Sequence, residues 1–122
     1  MEVKFFKQSV INKPYEESIK KAIDELIFGS SRIINGKYSI KFEKLFGNYV
    51  GSKYCSFLSN GLDALSLSLK AIGIKEGDEV IVPCHTFIAN WLSVVNLRAK
   101  VIAAPVKESN LLIDENKIEN YI

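Results

Sequence analysis

The sequence predicts an α/β fold: a mostly parallel sheet with helices on both faces. Two observations and one rule of chain connection predict it. After Gly51, short apolar runs alternate with helix-length segments in the order strand, helix, strand, helix, strand. Parallel neighbours need a crossover of that length, whereas antiparallel neighbours reconnect through a tight turn. The 122 residues are 48% hydrophobic and 25% charged, which is the composition of a folded chain with a hydrophobic core.

Residues 1–51 form an amino-terminal helical segment in this reading. From Pro14 to Phe28, Ile19, Ala22, Ile23, Leu26 and Ile27 recur at i, i+3, i+4, i+7 and i+8, and Glu16 and Glu17 stand four residues ahead of Lys20 and Lys21. Pro14 suits the first turn, and Gly29 is placed as a terminating glycine. A second helix is expected from about Ser39 to Val50, with Phe42, Leu45, Phe46 and Tyr49 on one face and Gly51 as its stop. The polar connection Ser30 to Lys37 carries a turn signal at Asn35-Gly36.

Residues 52–122 form the α/β layer. Tyr54 to Leu58 reads as a strand, Leu62 to Ile72 as a helix ended by Gly73, and Glu79 to Val82 as a strand closed by Pro83. Phe87 to Leu97 reads as a helix with Trp91, Val94 and Val95 on its apolar side, and Val101 to Val106 as a third strand. A last helix is expected after Asp114, whose carboxylate can cap it. Three parallel strands make a narrow sheet that needs cover on both faces, so the layer is expected to be the front part of something larger.

Composition excludes several classes of function. The net charge of +2 is too small to nominate a nucleic-acid or anionic-membrane surface. No segment approaches the roughly 18 apolar residues of a membrane span, and the start of the chain lacks the apolar core of a signal peptide. Cys55 and Cys84 have no metal-ligand spacing and lie in or beside apolar runs, so buried free thiols in a cytoplasmic protein are expected. There is no G-x-G-x-x-G after the first strand, no G-x-x-x-x-G-K and no G-x-S-x-G, which weakens dinucleotide, nucleoside-triphosphate and hydrolase readings.

Two places can carry chemistry. Ser59-Asn60-Gly61-Leu62-Asp63-Ala64-Leu65 joins the carboxyl end of an expected strand to a helix start, where ligands of open α/β sheets gather. A helix N-terminus there offers unpaired N–H groups and about half a positive charge, and a glycine admits an anion close to the backbone. The same residues also suit a plain role, with Asn60 or Ser59 capping and Gly61 turning the chain. Asp63 steadies the helix dipole, yet its carboxylate would repel a phosphate unless it points aside. Pro83-Cys84-His85-Thr86-Phe87-Ile88-Ala89 lies past the end of the next strand and brings an imidazole, a hydroxyl and an aromatic ring to the same sheet edge. His85 is the sole histidine and has no second metal ligand beside it, and Phe87 also suits ordinary core packing.

In order and spacing, four blocks resemble the DegT/DnrJ-type nucleotide-sugar aminotransferases. They are Phe42-Glu43 with Leu45 to Tyr54, Ser59 to Leu65, Gly73 to Pro83, and Thr86-Phe87-Ile88-Ala89. The resemblance implies the amino-terminal part of the large domain of a fold type I pyridoxal-phosphate enzyme, so that 52–122 would be an incomplete cofactor-binding domain. It implies that Asn60, Gly61, Leu62 and Asp63 hold the phosphate of pyridoxal 5'-phosphate, chiefly through backbone N–H groups. Leu62 departs from the threonine common at this position, which removes one hydroxyl contact. Phe87 matches the aromatic that stacks on the pyridine ring, and His85 and Asn90 resemble positions near the sugar.

The implied reaction moves an amino group from L-glutamate to a keto carbon of a nucleotide-linked sugar, and the form Asn-Gly-Leu-Asp-Ala-Leu points to a dTDP-linked 3-keto-6-deoxy sugar. A homodimer is implied as well. The family's two indispensable residues, a lysine that anchors the cofactor and an aspartate facing the pyridinium nitrogen, lie beyond the matched segment. Lys100 and Lys107 stand in no matching context, so no catalytic residue is assigned here. The alternative is a catalytically inactive α/β remnant or a small binding or scaffold module. Codons for the lysine and aspartate blocks after that of Ile122 would favour the enzyme. An isolated chain of this kind is expected to expose apolar surface and to associate.

Overall fold

The structure, a computed structural model, describes residues 5–30 and 32–122. Ser31 of the polar connection and the first four residues lie outside the described residues. Two compact units divide the chain, the first ending at Phe57 and the second running Leu58–Ile122.

The first unit is helical. A short helix α1, Gln8–Asn12, passes through a 3-10 turn at Lys13–Tyr15 into α2, Glu16–Ile27. Pro14 sits in that turn, where its missing N–H leaves no bond unmade. Glu16 pairs with Lys13 at 2.6 Å and with Lys20 at 2.8 Å, and these ammonium groups hold its carboxyl below the ordinary range. Gly29 follows α2 where no side chain fits, since a Cβ there would stand 2.3 Å from the Glu25 carbonyl oxygen. Helix α3, Lys37–Val50, begins after the Asn35-Gly36 turn, in which Asn35 takes a φ of 50°, and it stops at Gly51 with φ 72°.

Tyr54 to Leu58 is not a strand. No ladder partner reaches it among the described residues, and the Phe57 N–H instead donates to Glu43 Oε1 at 2.9 Å. The Phe57 ring meets Phe42 edge-on with centroids 5.1 Å apart, so apolar packing against α3 takes the place of sheet pairing.

The second unit contains the α/β layer. Its elements are α4, Gly61–Ala71, β1, Glu79–Pro83, α5, Ala89–Val95, and β2, Lys100–Ala104, followed by a 3-10 helix at Glu115–Tyr121. The strands pair in parallel, Glu79 opposite Lys100 through Pro83 opposite Ala104, with α5 as the crossover. The sheet therefore has two strands where the sequence predicts three. Val80, Val82 and Val101 share one face with Leu69, Ile74, Trp91, Val94 and Ala99, and this cluster is the core. Val94 is 1% exposed, whereas Val95 points out at 54%.

Three boundaries differ from expectation for local reasons. Helix α5 is preceded by i to i−3 bonds, Asn90 N–H to Phe87 and Trp91 N–H to Ile88, and it is closed at Arg98, whose φ is 57°. Strand β2 stops at Ala104 because Pro105 has no N–H to donate, and Val106 pairs antiparallel with Ile113 instead. After Asp114, which accepts the Asn116 N–H at 3.3 Å, Asn-rich sequence with a β-branched Ile118 coils as a 3-10 helix rather than an α-helix. The thiols are also less buried than expected. Cys55 is half-buried and Cys84 is exposed, since each lies where its strand-like run has ended or never formed. No helix among the described residues is long and apolar enough to cross a membrane.

Candidate functional site

The site is assembled at the start of α4. Asn60 holds an extended backbone, and its Oδ1 accepts the Asp63 N–H at 2.9 Å, while its carbonyl accepts the Ala64 N–H at 3.1 Å. The first of these satisfies one of the orphan donors of the helix, and the second is its first intrahelical bond. The Gly61 and Leu62 N–H groups donate to no acceptor among the described residues. A Cβ built on Gly61 meets nothing within 4 Å, so the space beside this glycine is open.

Gly61 and Leu62 also line an open groove of about 700 Å³. Asn60, Gly61 and Leu62 line one side of it, and Phe87, Ile88, Ala89 and Asn90 the other. Ala64, Leu65 and Leu92 add an apolar lining that motif reading missed. Helical spacing was the available signal, because residues three and four past Gly61 follow its face of α4. Phe87 is 76% exposed, so packing within this unit does not account for its position. The Asn90 side chain donates to Thr86 Oγ1 at 2.5 Å, and Trp91 Nε1 donates to the Pro83 carbonyl at 3.3 Å, which ties α5 to the end of β1.

Of the residues singled out from the sequence, Asn60, Gly61, Leu62, Phe87 and Asn90 come together here. Asp63 does not line the groove. Its carboxylate is turned back onto Ser59 and onto Asn60 Nδ2, the latter at 2.9 Å. His85 is exposed and lies outside the lining. Lys100 and Lys107 form ion pairs with Glu79 and Glu115, away from the groove. Among the described residues, no three His, Cys, Asp or Glu side chains cluster as a metal site.

Phosphate suits this arrangement. Two amides without acceptors, a helix dipole and a glycine with free space beside it are groups that can receive an anion, and the exposed Phe87 ring in the same groove can take an apolar or aromatic face.

Residues 14–122 match the DegT/DnrJ/EryC1/StrS aminotransferase family. The chain is 38% identical to the dTDP-3-amino-3,6-dideoxy-alpha-D-galactopyranose transaminase of Aneurinibacillus thermoaerophilus, over 92% of this chain and 31% of that protein. Its fold superposes on the crystal structure of DesV from S. venezuelae with a TM-score of 0.93 at 32% identity, covering 98% of this chain and 32% of the other. The Bacillus subtilis protein NtdA, solved with bound cofactor PMP, gives a TM-score of 0.81 at 31% identity, covering 91% and 25%. The chain thus spans about a third or less of the length of these relatives.

Proposed function

Because the chain belongs to the DegT/DnrJ/EryC1/StrS aminotransferase family, we propose that it is the amino-terminal, cofactor-phosphate-binding part of a nucleotide-sugar aminotransferase. The observation that carries this reading is that Gly61 and Leu62, whose N–H groups have no acceptor among the described residues, line one groove with Phe87.

Pyridoxal 5'-phosphate is the cofactor, and when bound it supplies the electron sink for amino transfer. The chain's own residues position it. The Gly61 and Leu62 N–H groups, with the positive end of α4 behind them, take the phosphate oxygens. Asn60 keeps the first turn in register by capping it. Phe87 covers one face of the ring and displaces water from it. Asn90, which lines the groove, is assigned to the sugar, together with the exposed His85 beyond β1. With an aliphatic Leu62 in the cradle, the phosphate is held there by main-chain donors, without a hydroxyl from that position.

The amino donor is L-glutamate and the acceptor a keto carbon of a nucleotide-linked sugar. A dTDP-linked 3-keto-6-deoxy sugar is the narrower assignment, supported by the dTDP-3-amino sugar transaminase among the relatives. A homodimer is part of the reading, supported by the apolar side chains α2 leaves exposed, Ile19, Ile23 and Ile27. So is a cytoplasmic setting, which suits the unpaired Cys55 and Cys84.

Titration with pyridoxal 5'-phosphate and with pyridoxal, followed by quenching of Trp91, the sole tryptophan, tests the proposal. The phosphate ester is expected to bind about tenfold tighter or better, in line with charge-assisted bonds at two amides. Equal binding of the two compounds would rule the phosphate cradle out.

A further inference from the structure

Asp63 poses a physical difficulty for an anion site. Its carboxylate belongs to the first turn of α4, immediately after the open amides of Gly61 and Leu62, where a negative charge opposes a phosphate and can itself satisfy the free N–H groups. In the structure the carboxylate accepts from neither amide. The Ser59 hydroxyl donates to Asp63 Oδ2, and Asn60 Nδ2 donates to the same oxygen at 2.9 Å. Asn60 Nδ2 also reaches Ser59 Oγ at 3.2 Å, so the three side chains close on one another. Two donors on one carboxylate oxygen fix its rotamer and draw its charge away from the groove. Ser59 does not line that groove.

We propose that Ser59 is a positioning residue that holds the Asp63 carboxylate aside and thereby keeps the Gly61 and Leu62 amides open for a phosphate. The proposal rests on the reading of the α4 N-terminus as the cofactor-phosphate site. It assigns to Ser59 an effect that passes through the charge of Asp63 and not through contact with the ligand.

A double-mutant cycle on the full chain decides it, with Trp91 quenching by pyridoxal 5'-phosphate and by pyridoxal as the readout. Ser59→Ala should weaken binding of the phosphate ester about fivefold, the size expected for a charge acting at a helix terminus. Pyridoxal binding should stay within about twofold, and Ser59→Thr, which keeps the hydroxyl, should bind the ester within about twofold of wild type. In an Asp63→Asn background, Ser59→Ala should change ester binding by less than about twofold, because no charge is left to restrain. An equal loss in both backgrounds would place Ser59 in direct contact with phosphate and overturn the proposal, as would unchanged binding in Ser59→Ala. Far-UV circular dichroism verifies folding. Should Ser59→Ala unfold, Asp63→Asn alone still decides, since lower affinity for the ester in that variant contradicts a carboxylate that must be kept away. If wild type itself fails to prefer the ester over pyridoxal, the phosphate site falls first, and this result differs from any pattern among the variants.

Discussion

Phe87 lines the same groove as Gly61, although the length of α4, β1 and the loops on either side of β1 separate them in the chain. The parallel layer causes this. Helix α5 follows β1 and starts near its carboxyl end, and α4 packs against α5 so that the start of each lines the same groove.

Phe87→Ala should separate binding from stability. The ring is 76% exposed, so the thermal midpoint and the unfolding free energy should change by no more than about 0.5 kcal/mol. Binding of pyridoxal 5'-phosphate should weaken roughly three- to tenfold through loss of ring stacking. Paired melting and Trp91-quenching curves check both halves.

Asn60→Ala should lower stability. It removes the side-chain oxygen that caps α4 at the Asp63 N–H, and the expected loss of stability is about 1 kcal/mol by urea unfolding. Asn60→Ser, a residue that also caps, should recover most of it.

Val94→Ala should be the costlier of two aliphatic truncations. Val94 is 1% exposed in the core between α5 and the sheet, and losing two methyl groups there is expected to cost about 2 kcal/mol. Ile23→Ala, on the 47% exposed face of α2, should cost well under half as much in the same denaturation experiment.

Glu115 should titrate below an ordinary glutamate. Its carboxylate accepts from the Lys107 ammonium and from a backbone N–H, and the lysine is the main cause of the lowering. A depressed folded-state value means that the contribution to stability is present above the ordinary glutamate range and fades as pH falls through the lowered value. Carboxyl NMR titration should show this, and Lys107→Met should move the midpoint back up. The exposed setting keeps the effect on overall stability small.

Much of the layer was legible from the chain. Period-3.6 patterns located α2, α3 and α4 to within a few residues, and Gly51 and Gly73 marked their ends by adopting φ of 72° and 96°. Gly61 and Phe87 were recognisable because strand ends and helix starts are where such layers bind ligands. Tyr54 to Leu58 was misread because apolar alternation reports a segment's preference for an extended, half-buried state and not the presence of a neighbour to pair with. Pro105 carried a usable signal, a missing donor, that a strand drawn through to Val106 overlooked.

What residue order alone settled about this protein was local: helix spans, their stops, the parallel connection between β1 and β2, and the amides that a capped helix leaves unpaired. These depend on backbone sterics and on hydrogen bonds within a few residues. Which residues share the groove, that Asp63 turns back onto Ser59, and that His85 stays outside the lining came only with the packing of α4 and α5. Side-chain direction at such an edge is set by neighbours distant in the chain, and no short-range pattern encodes it.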